Sequence, residues 1–188
     1  LVIFSRSETE MKKILLTITA IALFAVPASA QVLSIWADTE MTTCEHFGAP
    51  YAAFQVYLML EPGVDGVFAA EYMLVIPSNL LVQVQTPSTA ISIVKDNPIG
   101  PPGVSVGFLT CQTEPLVVYQ FQMFPLDALE SYIQIVPNGD TGKLIIANCE
   151  EPLRPEMPCA VYNYFGYNGP CMVGTEESSW GAIKSMME

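Results

Sequence analysis

Histidine and helical periodicity are the two things this sequence most conspicuously lacks. His46 is the only histidine among 188 residues. A Ser-His-Asp or Cys-His relay would have to use it, and it sits in the cysteine-bearing stretch TTCEHFGAP with no nucleophile elbow around it. A surface loop histidine is the expectation. Histidine-based zinc sites fail on number, since one imidazole cannot supply the two or three ligands they use. No long amphipathic helix pattern precedes residue 175, and no internal repeat is visible. No catalytic constellation and no cofactor are expected.

Positive charge is also scarce, with 7 Lys and Arg against 19 Asp and Glu. Three of the seven fall at the front. Met11 opens MKKILLTITAIALFAVPASA, in which two lysines precede an apolar run ending in Ala28-Ser29-Ala30. This is the pattern of an export signal over residues 11–30, cleaved before Gln31. Residues 1–10 are expected to be an upstream extension outside the native protein. The apolar run is too short for the roughly 20 residues that cross a bilayer, so no membrane span is expected in the mature chain. Beyond Ala30 only Lys95, Lys143, Arg154 and Lys184 are basic. Neutralising a phosphate backbone with so few cations is unfavourable, which excludes nucleic acid as a partner. An anionic membrane surface repels the chain for the same reason. The expected location is exported, periplasmic or extracellular.

Cys44, Cys111, Cys149, Cys159 and Cys171 all follow the signal, where an oxidising compartment favours disulfides. Five is odd, so at most two bridges form. The preferred pairing is Cys44 with Cys111 and Cys149 with Cys171, leaving Cys159, although spacing does not fix connectivity. A zinc site from Cys149, Cys159 and Cys171 is the alternative, and it lacks a close C-x-x-C pair.

The mature chain alternates apolar and polar side chains. YAAFQVYLML puts Phe54, Val56, Leu58 and Leu60 on one face, and GVSVGFLTC sets Val104, Val106 and Phe108 against Ser105 and Gly107. VLSIWADT, GVFAAEYMLVIP, LLVQVQTP, PLVVYQFQMF, SYIQIVP and GKLIIANC read the same way. EPGVDG (61–66) and DNPIGPPG (96–103) supply turns, and PNGDTGK (137–143) is expected to be an Asn-Gly hairpin. The same stretch is no phosphate loop, because Pro137 stands where the first glycine belongs and Leu144 follows Lys143. LDALESY (126–132) has the spacing of a single helical turn. EEPLRPEMP is too proline-rich for helix or central strand and is expected to be a loop held at both ends. These features predict an all-β, antiparallel two-sheet sandwich, immunoglobulin-like or cohesin-like, over residues 31–171. Residues 172–188 form a tail, possible as a short helix through Trp180, Ile183 and Met187, which would dock it.

Acidic residues raise two further chemistries. Asp38 and Glu40 share a loop that could offer oxygens to calcium, without a D-x-[DN]-x-[DN]-G run. A hydrolase would need two carboxyls facing one another, for which Glu71 and Glu114 are the strand-borne candidates. Tyr162, Tyr164 and Tyr167, with Trp36, are the candidate ligand-binding residues, because flat aromatic faces suit sugar rings. Strand packing is the competing role for the same rings.

The stretch GVFAAEYMLVIPSNLLVQVQTP, followed by GVSVGFLTC and PLVVYQFQMF, resembles cohesin-like carbohydrate-associated modules, in which a strand leads into a Y-x-P-x-x-L turn. Here Val75-Ile76-Pro77 occupies that turn. Residues 33–171 also resemble exported β-sandwich proteins of environmental bacteria that have no established activity, through SIWAD (34–38), GVSVGFLTC (103–111) and ANC (147–149). SSWGAIKSM resembles a short ending that recurs in such bacteria. These resemblances imply a fold and a compartment, and carry no catalytic residue. The expected function is a non-catalytic exported module, binding or structural, with a protein or glycan partner. A carbohydrate-binding module and a secreted carboxylate hydrolase are the alternatives.

Overall fold

Period-two alternation in Val-, Ile- and Tyr-rich segments gives each strand one apolar face, and two such faces bury each other most simply as stacked sheets. The computed structural model describes residues 31–150 and 154–173. The expected signal at 11–30 and the tail residues Trp180, Ile183 and Met187 lie outside them. The strands are β1 (Val32–Trp36), β2 (Glu45–His46), β3 (Phe54–Glu61), β4 (Val67–Val75), β5 (Leu80–Pro87), β6 (Ile91–Asn97) and β7 (Gly103–Gln112). They continue with β8 (Leu116–Pro125), β9 (Ser131–Val136), β10 (Ile145–Ala147), β11 (Glu156–Pro158), β12 (Ala160–Val161), β13 (Asn163–Tyr167) and β14 (Met172–Val173).

The fold is an all-β sandwich. One sheet runs β12-β1-β3-β8-β5. The other runs β11-β10-β4-β9-β13-β14, with β7 on the free side of β4, β6 beyond β7, and β2 against β13. Pairing is antiparallel except for β1 with β12 and β13 with β2. Leu33, Val56, Leu58 and Phe121 from the first sheet meet Tyr72 and Val106 from the second in one core. Each fully buried side chain of this kind contributes about 1.5–3 kcal/mol relative to exposure. The Tyr72 hydroxyl and the Ser131 Oγ are buried without a hydrogen-bond partner among the described residues. Burial raises the Tyr72 pKa well above its ordinary value, and the neighbouring Tyr119 adds to this.

The chain changes sheet between β12 and β13, and a side chain completes the seam. Tyr162 N donates to Leu33 O at 3.0 Å, the last backbone bond on that edge of β1. The next position is taken over by Asn163, whose Oδ1 accepts from Ile35 N at 2.8 Å and whose Nδ2 donates to Ile35 O at 2.7 Å. Asn163 is buried, so its amide acts as a strand partner for β1 while its backbone belongs to the other sheet.

Three expectations are corrected here. PNGDTGK is not a hairpin, because β9 and β10 do not pair. Both run antiparallel to β4 on the same side, β9 at Met73 to Val75 and β10 at Ala69 to Glu71. The intervening loop is an excursion from one interrupted strand, folded on Asn138, whose Oδ1 accepts from Asp140 N at 3.0 Å. LDALESY holds no helical turn, since Asp127 Oδ1 instead accepts from Leu129 N at 2.9 Å and Asn79 Nδ2 at 2.9 Å, holding an irregular bend. The proline-rich stretch is more than a loop, because Glu156–Pro158 pairs with β10 as an edge strand, where proline costs no ladder bond.

Candidate functional site

The cysteines set the frame. Cys111 is bridged to Cys149 and Cys44 to Cys171, so the expected pairing of Cys44 with Cys111 and Cys149 with Cys171 is corrected. The reason lies in strand order. Cys111 is the last residue but one of β7 and Cys149 follows β10, the two strands that flank β4, so the sulfurs meet across the residue that precedes β4. That residue is Gly66, with φ of 67°. A β-carbon there would lie 2.5 Å from Cys111 Sγ and 3.0 Å from Cys149 Sγ. Likewise β2 lies beside β13, which brings Cys44 before the one to Cys171 after the other. Glu45 Oε2 accepts from Cys171 N at 2.8 Å and fixes the approach.

Cys159 has no bridge and is buried, with its Sγ 3.5 Å from Gln31 O. Burial pushes its thiol up to about 12, so almost no thiolate exists near neutral pH. Iodoacetamide at pH 8 is expected to leave Cys159 unmodified in the native protein and to label it fully after denaturation. Rapid native labelling, read by intact-mass spectrometry, would contradict this burial.

His46 lies in β2, half-buried and packed against the core. Its ring stacks on Phe54 at 4.3 Å between centroids and lies 6.4 Å from Tyr167, and burial lowers its pKa. This corrects the surface-loop expectation for His46. Asp38 spends its carboxylate on its own loop, accepting from Thr42 N at 3.0 Å, Thr42 Oγ1 at 2.9 Å and Thr43 N at 2.9 Å. Desolvation raises its pKa, but these hydrogen bonds outweigh it and the net shift is downward. Glu71 lies on the outer face of β4 and accepts a hydrogen bond from Thr141, whereas Glu114 lies exposed in the turn between β7 and β8. Among the described residues no group of three or more His, Cys, Asp or Glu is placed to hold a metal ion.

The four aromatic candidates split by strand parity. Tyr167 is fully buried, with its hydroxyl donating to Asp127 O at 3.0 Å, and its ring stacks on Phe54. It belongs to the core, and its assignment to a ligand surface is corrected. Trp36 is also buried, in a second cluster on the outer face of the first sheet with Met59 and Cys44, and its Nε1 donates to Ser34 Oγ at 2.8 Å. Only Tyr162 and Tyr164 are open, 42% and 39% exposed. Tyr162 stacks on Trp36 at 5.7 Å.

The outer faces of the two sheets differ in chemistry. On the second sheet the cross-strand partners Ala69 and Gly107, Glu71 and Ser105, and Ala69 and Ala147 form a floor of mostly small side chains. Ile93 and Leu109 stand beside it, 66% and 65% exposed. Lys143 Nζ lies 2.9 Å from Glu156 Oε2 along the opposite rim. On the first sheet the outward residues along the middle of β3, β8 and β5 are Gln55, Tyr57, Gln120, Gln122, Val84 and Thr86, with Leu81 opposite Phe124 at one end. The aromatic search missed this second face because its glutamines and single tyrosine lie far apart in sequence.

No family profile matches the chain, and no curated protein matches it. Solved structures do. The seventh ScaB type I cohesin from Pseudobacteroides cellulosolvens superposes with a TM-score of 0.54 at 10% identity, over 73% of this chain and 90% of that one. Two type I cohesin-dockerin complexes from Clostridium thermocellum match with TM-scores of 0.52, at 11% and 9% identity, over 74% and 76% of this chain and 98% and 96% of theirs. At such identity the likeness is one of fold, and the fold of this chain is the cohesin-like β-sandwich.

Proposed function

We propose that the chain is an exported, non-catalytic β-sandwich module that binds a protein partner at the cell surface or outside the cell. The observation that carries this is the outer face of the second sheet. Ala69, Ser105, Gly107 and Ala147 keep it low, so another backbone can approach closely, and exposed Ile93 and Leu109 offer apolar area at its edge. Apolar area beside a low floor, with the Lys143–Glu156 pair along the opposite rim, suits a protein interface. The type I cohesins solved in complex with dockerins share this fold and bind a protein, which supports the same role. Among the described residues no helix is long and apolar enough to cross a membrane.

Photo-crosslinking in the producing cells tests this. A benzophenone side chain at position 93 or 109 is expected to capture one discrete secreted protein, and the same group at position 64, exposed in the turn before β4, to capture none. Equal yields at all three positions would sink the assignment. The spectra that identify the product also read its first residue, expected to be Gln31.

A further inference from the structure

The opposite face of the sandwich carries a lattice that protein binding on the second sheet does not use. Trp36 lies opposite Tyr57, Tyr57 opposite Gln120, and Gln120 opposite Thr86, one row crossing four strands. Gln55 lies opposite Gln122, and Gln122 opposite Val84, in a second row. Gln120 Nε2 donates to Gln55 Oε1 at 3.2 Å and ties the rows together. Directly opposed residues in antiparallel strands project to the same face. The alternate pairs Val56 with Phe121 and Phe54 with Met123 fill the core, so this set points outward. Trp36 is buried at one end, so the open part of the row spans three strands at about 4.8 Å spacing, roughly 10 Å, enough to lie along more than one sugar ring.

Charge is missing from this lattice. Across the whole chain 14% of residues are charged. The chain carries a net charge of −12, yet none of Gln55, Tyr57, Val84, Thr86, Gln120 and Gln122 is ionisable near neutral pH. Glu61 at the far end of β3 is the first carboxylate on that strand. Among the described residues Gln122, Tyr57 and Thr86 make no side-chain hydrogen bond, so their polar atoms are available to a ligand. A glutamine amide both donates and accepts, which matches a sugar hydroxyl, and Tyr57, packed against Trp36 and Met59, leaves part of its ring open to the ring carbons. A polyanion is excluded by the acidic chain and by the lack of any cation in the lattice. A neutral polymer suffers neither penalty.

We propose that the outer face of β1, β3, β8 and β5 is a binding surface for an uncharged polysaccharide, with Tyr57, Gln120 and Gln122 at its centre and Tyr162, stacked on Trp36, at its end. The surface is separate from the protein-binding face on β4, β7 and β10, so either assignment stands without the other.

Native affinity electrophoresis with mixed-linkage β-glucan, xyloglucan and galactomannan, and with polygalacturonate as the anionic control, tests it. At least one neutral polymer is expected to retard the protein and polygalacturonate is not. Gln122→Glu, which keeps side-chain size, and Tyr57→Ala are expected to weaken retardation at least tenfold, with thermal melts confirming that both fold. Val64→Asp, in the exposed turn before β4, is expected to leave it unchanged. Failure of all three neutral polymers to retard the protein overturns the proposal. So does retardation that survives Gln122→Glu and Tyr57→Ala, or that Val64→Asp removes equally. Capture of a protein by a benzophenone at position 122 would assign the face to a protein partner and overturn it too.

Discussion

Replacing Cys44 and Cys171 together by serine is expected to lower the stability of the oxidised protein by about 4–5 kcal/mol. Replacing Cys111 and Cys149 is expected to cost about 0.8 kcal/mol less. The ranking comes from the length of chain each bridge closes in the unfolded state, with sequence separations of 127 and 38. The bridges are nested, so with the inner one intact the outer one closes an effective loop of about 90 residues, still more than twice the inner loop. Urea unfolding of the two double variants, oxidised and with Cys159 untouched, measures both. A larger loss for the Cys111 and Cys149 variant would mean that sulfur packing beside Gly66 outweighs loop entropy and would refute the ranking.

Asn163→Ala is expected to cost about 3 kcal/mol. The substitution strands the Ile35 N–H and C=O in a buried seam, and each unsatisfied backbone group costs about 1–3 kcal/mol. Asn163→Leu is expected to be no better, because apolar bulk restores packing but not the two bonds. Asn163→Asp keeps the acceptor for Ile35 N, loses the donor to Ile35 O and places a charge where burial is nearly complete. Chemical denaturation followed by circular dichroism provides the comparison. A loss below about 1 kcal/mol for Asn163→Ala would show that water satisfies Ile35 in place of the amide.

The strands were largely legible because alternation is local. Phe54, Val56, Leu58 and Leu60 could be placed on one face from YAAFQVYLML alone, and they line the core as that pattern requires. What failed was everything that depends on which strand lies beside which. The Asn-Gly pair in PNGDTGK signals a tight turn, but only the position of β4 decides that β9 and β10 share one of its edges instead of pairing with each other. The bridge partners followed the same non-local order and were mispaired, although Gly66 between the two sulfurs is a residue a sequence reader could have questioned. Strand β6 is absent from the alternating segments of the sequence, since Ile91–Asn97 is exposed along most of its length and pairs on one side only. The aromatic cluster misled because Tyr162 and Tyr164 alternate with Phe165 and Tyr167 across a strand whose two sides face solvent and core.

Strand β1 finds partners both in β3, which soon follows it, and in β12, which lies almost at the far end of the domain. A ribosome releasing this chain from its front cannot let the sandwich close until the last tenth has emerged, because Leu33 has nowhere to lodge its outer edge before Val161 arrives. Such wide separation between partners slows the search for the native topology, and the half-made sheet meanwhile offers an open rim to any passing strand. Under the proposed export this delay would be useful, since an unfinished fold can still be pulled through a narrow opening.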